Sequence, residues 1–160
     1  MCTSVRGIRM GGLVIALVIG ACCVAGAQGP IVRVDMKASG AVQDGTTWET
    51  AFISIQAGIT HAVGLPDETK MLWVGRGTYS ETVTMADNVL VYGGFIGREE
   101  GGYEDNFSLR NPVNNPTTID GEDTRRCVVG ANTVMDGFLI TRGRADTGGG
   151  MYNFDVSMFV

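Results

Sequence analysis

The sequence is poor in the side chains that most enzyme chemistry uses. Its 160 residues contain one histidine, His61, and four cysteines, Cys2, Cys22, Cys23 and Cys127. A single histidine rules out an HExxH metalloprotease site, and no GxSxG, Walker A or dinucleotide-binding pattern is present. The glycine-rich runs lack the strand-then-helix context that cradles a phosphate. Basic residues are also scarce, 12 against 17 acidic ones. An acidic chain is a poor partner for nucleic acid or an anionic membrane surface.

The one long apolar stretch is residues 11–24, GGLVIALVIGACCV. Arg6 and Arg9 precede it, and Ala25-Gly26-Ala27 supplies the small residues of an A-x-A cleavage site. This pattern predicts a secretory signal peptide over residues 1–27. The stretch is too short and glycine-rich to span a bilayer comfortably. Ile19-Gly20-Ala21-Cys22 also resembles a lipobox, which would make Cys22 an acylated residue and the product a lipoprotein. Cleavage after Ala27 leaves 133 residues, enough for one domain with a real core, and a net charge of −7. Only Cys127 survives cleavage. The mature chain then has no internal disulfide, in a compartment that would tolerate one.

Residues 31–35 alternate apolar and polar and predict a strand, leading into a first unit over residues 28–66. Thr46-Thr47-Trp48-Glu49 has capping-box spacing, and Phe52, Ile55, Ile59 and Val63 recur at helical intervals. These predict one helix over residues 49–63, ended by Gly64 and Pro66. Residues 67–160 read as short strands between glycine, asparagine and aspartate: 71–74, 81–85, 89–92, 117–119, 127–129, 134–135 and 138–141. Residues 97–116 form a polar excursion. The segment TTIDG (117–121) matches TVMDG (133–137), and VYGGF (91–95) is a looser relative of MDGF (135–138). In each, a hydrophobic strand meets a glycine that lets the chain turn a corner. One strand and one corner after another, in stacked coils, predict an all-β solenoid.

The segments DGTTWETAF, LWVGRGTY, VYGGFIG, RNPVNNPTTIDG, VMDGFLITRG and GGGMYN resemble the N-terminal part of right-handed parallel β-helix proteins, the pectate-lyase-like superfamily. The likeness runs from Val32 to Asn153. It implies the first few coils of a parallel β-helix under an N-terminal capping helix, in an exported bacterial protein. It also implies association with extracellular polysaccharide, and for any catalytic member a polysaccharide lyase acting on uronate glycans. None of the segments is a catalytic motif, so the expectation for this chain is a non-catalytic one. A second resemblance joins GGGMYN (148–153) to the GGA-containing element of polymorphic outer-membrane proteins, which implies a cell-surface structural or adhesive β-helix. Its companion F-x-x-N is missing from FDVSMFV (154–160). That segment ends in Met158-Phe159-Val160 without a polar cap. The expectation is a fragment whose open end favours self-association.

Candidate chemistry centres on Asp120, Glu122 and Asp123, three carboxylates near a strand end that could bind calcium, a hard cation preferring oxygen. The plain alternative is a solvated turn neutralised by Arg125 and Arg126. A lyase would need a base beside the metal, and these arginines are nearest, though arginine stays protonated in most settings. Trp73, Tyr79, Tyr92 and Tyr103 are possible sugar platforms. The first three sit in or beside strands, where aromatics are commonly core. Tyr103, in the polar excursion, is the glycan-contact candidate. His61 suits a helix C-terminus, and Cys127 a buried strand. No cofactor beyond calcium is indicated.

Overall fold

Every strand pairing in the described residues is parallel. The computed structural model describes residues 29–66, 68–98 and 106–153. Its elements in chain order are β1 (Ile31–Val34), α1 (Ile55–Val63), β2 (Lys70–Gly75), β3 (Gly77–Tyr79), β4 (Val83–Thr84), β5 (Val89–Phe95), β6 (Thr117–Asp120), β7 (Val128–Val129), β8 (Met135–Asp136), β9 (Phe138–Thr141) and β10 (Met151–Tyr152). The strands form three sheets, ordered β1-β2-β5-β8, β3-β6-β9 and β4-β7-β10. After β1 and α1 the chain visits the three sheets in the same sequence three times. The fold is therefore β-rich, with parallel sheets and little helix.

Register explains the core. On the first sheet Val32, Leu72, Val91 and Met135 lie in one column, each at most 2% exposed. Tyr79, Ile119 and Ile140 form a second column, and Val83, Val128 and Met151 a third. Short strands suffice because each contributes only one or two inward side chains, and neighbouring passes cover them above and below.

The corners are tight. A single residue, Arg76, separates β2 from β3, and Gly137 alone separates β8 from β9. Gly137 has φ +81, and a Cβ on Gly93 would lie 2.6 Å from its carbonyl oxygen, so side chains are excluded from this corner. Between Trp73 and Gly75 the β2–β5 register shifts: β5 carries one residue more than β2. This bulge sets Phe95 beside Trp73 in a second buried cluster that also holds Trp48.

The helix is shorter than the periodicity predicts, starting at Ile55 rather than Glu49. The capping box does not form. Asp44 Oδ1 instead accepts from Thr46 N–H at 2.9 Å, Thr46 Oγ1 at 2.7 Å and Thr50 Oγ1 at 2.6 Å, winding residues 44–50 into a turn. Glu49 pairs with Arg98 at 2.7 Å, Trp48 is buried against Phe95, and Phe52 bridges Val34 as a strand residue. Tertiary packing of Trp48 and strand pairing of Phe52 override local helical periodicity here. Within the predicted strand 81–85 only Val83–Thr84 is extended, and β3 was not anticipated.

The internal echo also needs correction. Ile119 lies in the second sheet and Met135 in the first, so the two TxΦDG copies are not equivalent positions. The looser relation holds, with Val91 opposite Met135 and Tyr92 opposite Asp136.

Candidate functional site

The carboxylates singled out in the sequence meet arginines at the corner where the second sheet passes to the third. Asp120 ends β6 opposite Thr141, the last residue of β9. The next residue in the chain, Arg142, reaches back to it. Its Nε donates to Asp120 Oδ1 at 2.9 Å, and its Nη2 to Oδ2. Asp120 also accepts from the Glu122 N–H at 2.8 Å. The Arg142 hydrogen bond, then this backbone bond, hold the Asp120 carboxyl below the usual carboxylate range, and the same hydrogen bond and charge of Asp120 raise Arg142.

Glu122 pairs with Arg125, whose other nitrogen donates to the Ser80 carbonyl of the preceding pass at 2.6 Å. Asp123 donates its N–H to the Arg142 carbonyl at 2.8 Å. Glu122 and Asp123 both take positive φ, 52° and 56°, and so form the tight part of the turn. Arg126 donates to the Thr147 carbonyl at 2.7 Å and the Gly148 carbonyl at 3.1 Å, and lies 4.5 Å from the Tyr152 ring. The structure thus gathers Asp120, Glu122 and Arg125 with Arg142 at one corner and Asp123 beside them, while the Arg126 side chain turns away to Thr147, Gly148 and Tyr152. The Arg142–Asp120, Arg125–Ser80 and Arg126–Thr147 bonds run between successive passes, and the carboxylates of Asp120 and Glu122 each face a guanidinium. Among the described residues, no group of three or more His, Cys, Asp or Glu side chains is placed to hold a metal ion. Arg142 was missed from the sequence; the signal was its position, one past the residue in register with Asp120.

The aromatic candidates are mostly interior. Trp73 is 2% exposed, stacked on Phe95 at 4.7 Å and tilted against Phe107 at 6.1 Å. Tyr92 is partly buried and meets Phe107 edge-on at 4.8 Å, with Arg110 over its ring at 5.5 Å. Arg110 also donates to the Gly93 carbonyl at 2.7 Å and pairs with Asp136. Tyr79 is 3% exposed; its hydroxyl donates to the Gly75 carbonyl at 3.0 Å, and burial pushes its ionisation far above the usual phenol range. Neither Trp73 nor Tyr79 offers an open ring face to a sugar. Tyr103, Ala25, Ala27 and Cys22 lie outside the described residues.

His61 is exposed in the last turn of α1, 5.1 Å from the Phe52 ring. Cys127 is buried; its thiol donates to the Thr141 carbonyl at 3.2 Å, and burial pushes its pKa up. Cys127 and His61 therefore do not form a nucleophile–base pair. A cavity of 460 Å³ opens where the strand columns end, lined by Pro112, Pro116, Met135, Phe138, Ile140 and Met151 among others. No described helix is long and apolar enough to cross a membrane. No family model matches the chain, nor does any curated protein or solved structure resemble it significantly.

Proposed function

We propose that this chain forms the opening coils of a right-handed parallel β-helix, exported from the cell, and that it serves as a scaffold associated with extracellular polysaccharide rather than as a catalyst. The observation that carries this reading is the threefold, in-register passage of the chain through three parallel sheets, with α1 packed at the β1 end. The composition and the A-x-A site at Ala25 and Ala27 support export. The pairing of Asp120 with Arg142 and of Glu122 with Arg125 supports a structural use of the acidic corner. A calcium ion there would have to displace at least one guanidinium, so calcium is a ligand of the proposal only in competition with these ion pairs.

The test combines location and binding. Cells expressing the chain are fractionated, and the purified mature form is incubated with uronate-containing and neutral polysaccharides, with and without calcium. Retention on polysaccharide without release of an unsaturated uronate product is the expected outcome. Appearance of that product overturns the non-catalytic assignment. Absence of retention on every glycan, in a chain shown to be exported, overturns the polysaccharide association and turns attention to a structural or adhesive surface role. Retention of the full-length chain in the cytoplasm overturns export.

A further inference from the structure

One exposed segment carries a motif that neither the core nor the acidic corner uses. Asn106-Phe107-Ser108 is an N-x-S sequence, the acceptor pattern for N-linked glycans in exported proteins. The chain has seven asparagines, and one other, Asn115, stands two places before a serine or threonine. Pro116 follows it, and Asn115 is only 8% exposed, so that copy is closed on both grounds.

The structure sets out the three residues in alternation. Asn106 and Ser108 are exposed, while Phe107 between them is partly buried. Its ring meets Tyr92 edge-on at 4.8 Å and lies 6.1 Å from Trp73 and 6.2 Å from Phe95. This anchor holds the segment against β5 without covering the asparagine. Backbone bonds secure it further: Leu109 N–H donates to the Asn106 carbonyl at 3.1 Å, and Asn111 N–H to the Gly94 carbonyl at 2.7 Å. Ser108 donates twice to Asn106 Oδ1, from its hydroxyl at 2.8 Å and from its N–H at 3.0 Å. Both bonds use the amide oxygen, not the nitrogen that would carry a sugar. Leu109 and Val113 are 59% and 88% exposed, so the segment stands open to a large enzyme.

We infer that Asn106 is an acceptor for N-linked glycosylation, with a lipid-diphosphate-linked oligosaccharide as donor. The inference rests on the export reading, because such transfer takes place on the far side of a membrane. Asn106 Nδ2 forms a bond to the anomeric carbon of the sugar as the bond from that carbon to the diphosphate oxygen breaks. The lipid diphosphate leaves, and one amide proton passes to a base of the transferase. Ser108 supplies the hydroxyl that the motif requires. The fold supplies presentation: the acceptor is at the surface of the folded chain, so transfer does not depend on unfolding.

The purified, folded chain is incubated with a single-subunit oligosaccharyltransferase and a lipid-diphosphate-linked oligosaccharide, then read by intact-mass and glycopeptide mass spectrometry. The expected result is the gain of one glycan at Asn106, lost in Asn106→Gln and Ser108→Ala and kept in Ser108→Thr. No gain by the folded chain overturns the proposal. So does gain only after denaturation, because the fold would then hide the site, or a glycan that persists in Asn106→Gln. Should Asn106→Gln fail to fold, the wild-type glycopeptide decides by itself. Cell fractionation separates this proposal from the reading beneath it. A chain retained in the cytoplasm yet glycosylated by the purified enzyme supports the acceptor and overturns export alone; an exported chain that the enzyme leaves unmodified does the reverse.

Discussion

Replacing Ile119 by alanine should be costly, and replacing Leu139, on the strand beside it, should not. Ile119 is fully buried in β6, between Tyr79 of β3 and Ile140 of β9. Leu139 is the residue before Ile140 and is 58% exposed on the opposite face. Truncating a buried isoleucine removes its transfer free energy and leaves a cavity that its neighbours fill only in part, at about 2–5 kcal/mol. The columns above and below are anchored in separate sheet positions, so collapse is restricted and a value near ~3 kcal/mol is expected. In a chain of this length that corresponds to a fall in melting temperature of about 10 °C. Leu139→Ala should stay within about 0.5 kcal/mol. Thermal and urea unfolding of the purified chain, followed by far-UV circular dichroism, would measure both. The contrast depends on parity: a register slip of one residue exchanges the two faces. Equal costs, or a larger cost at Leu139, would refute the column arrangement.

Three further outcomes are expected. Asp44 is held down at about 2, first by the Thr50 hydroxyl and then by the Thr46 donors, and Asp120 is held low by Arg142. A carboxylate with a depressed folded-state pKa lends stability that is present above its unfolded value, near 3.8, and lost as the pH falls through the folded value. Melting temperature should therefore drop between about pH 4 and pH 2, with a shallower drop in Asp44→Asn and Asp120→Asn; unaltered slopes in both would contradict this. Gly93→Val should destabilise strongly, because its Cβ would stand 2.6 Å from the Gly137 carbonyl oxygen and 3.0 Å from Thr117 Cβ, and a melting point near wild type would show the corner to be looser than described. Cys127 should resist a thiol reagent in the native state and react on addition of denaturant, because it is buried and its thiol is held above the ordinary range; prompt native-state labelling would place it elsewhere.

Most strand positions could be read locally. Residues 31–34, 71–74, 89–92, 117–119 and 138–141 carry β-branched and aromatic residues between glycine or asparagine punctuation, and all are extended. The helix boundary could not be read this way, because Thr46 and Glu49 offer a sound capping box whose failure is decided by Trp48 and Phe52 finding partners in β5 and β1. The acidic corner was half legible. The sequence brings Asp120, Glu122 and Asp123 together, but only the β6–β9 register brings Arg142 onto Asp120.

By itself the sequence determined an acidic balance, a lone histidine, one helix and many brief β segments. It did so because composition, glycine placement and side-chain alternation act within a few residues. Only the tertiary structure decided that Ile119 and Met135 belong to different sheets, that Trp73 and Tyr79 are interior, that Asp120 faces a guanidinium, and that Glu81 caps a helix 26 residues away from it at Ile55. Those outcomes depend on which strand lies beside which, and register between passes is set by contacts far apart in the chain.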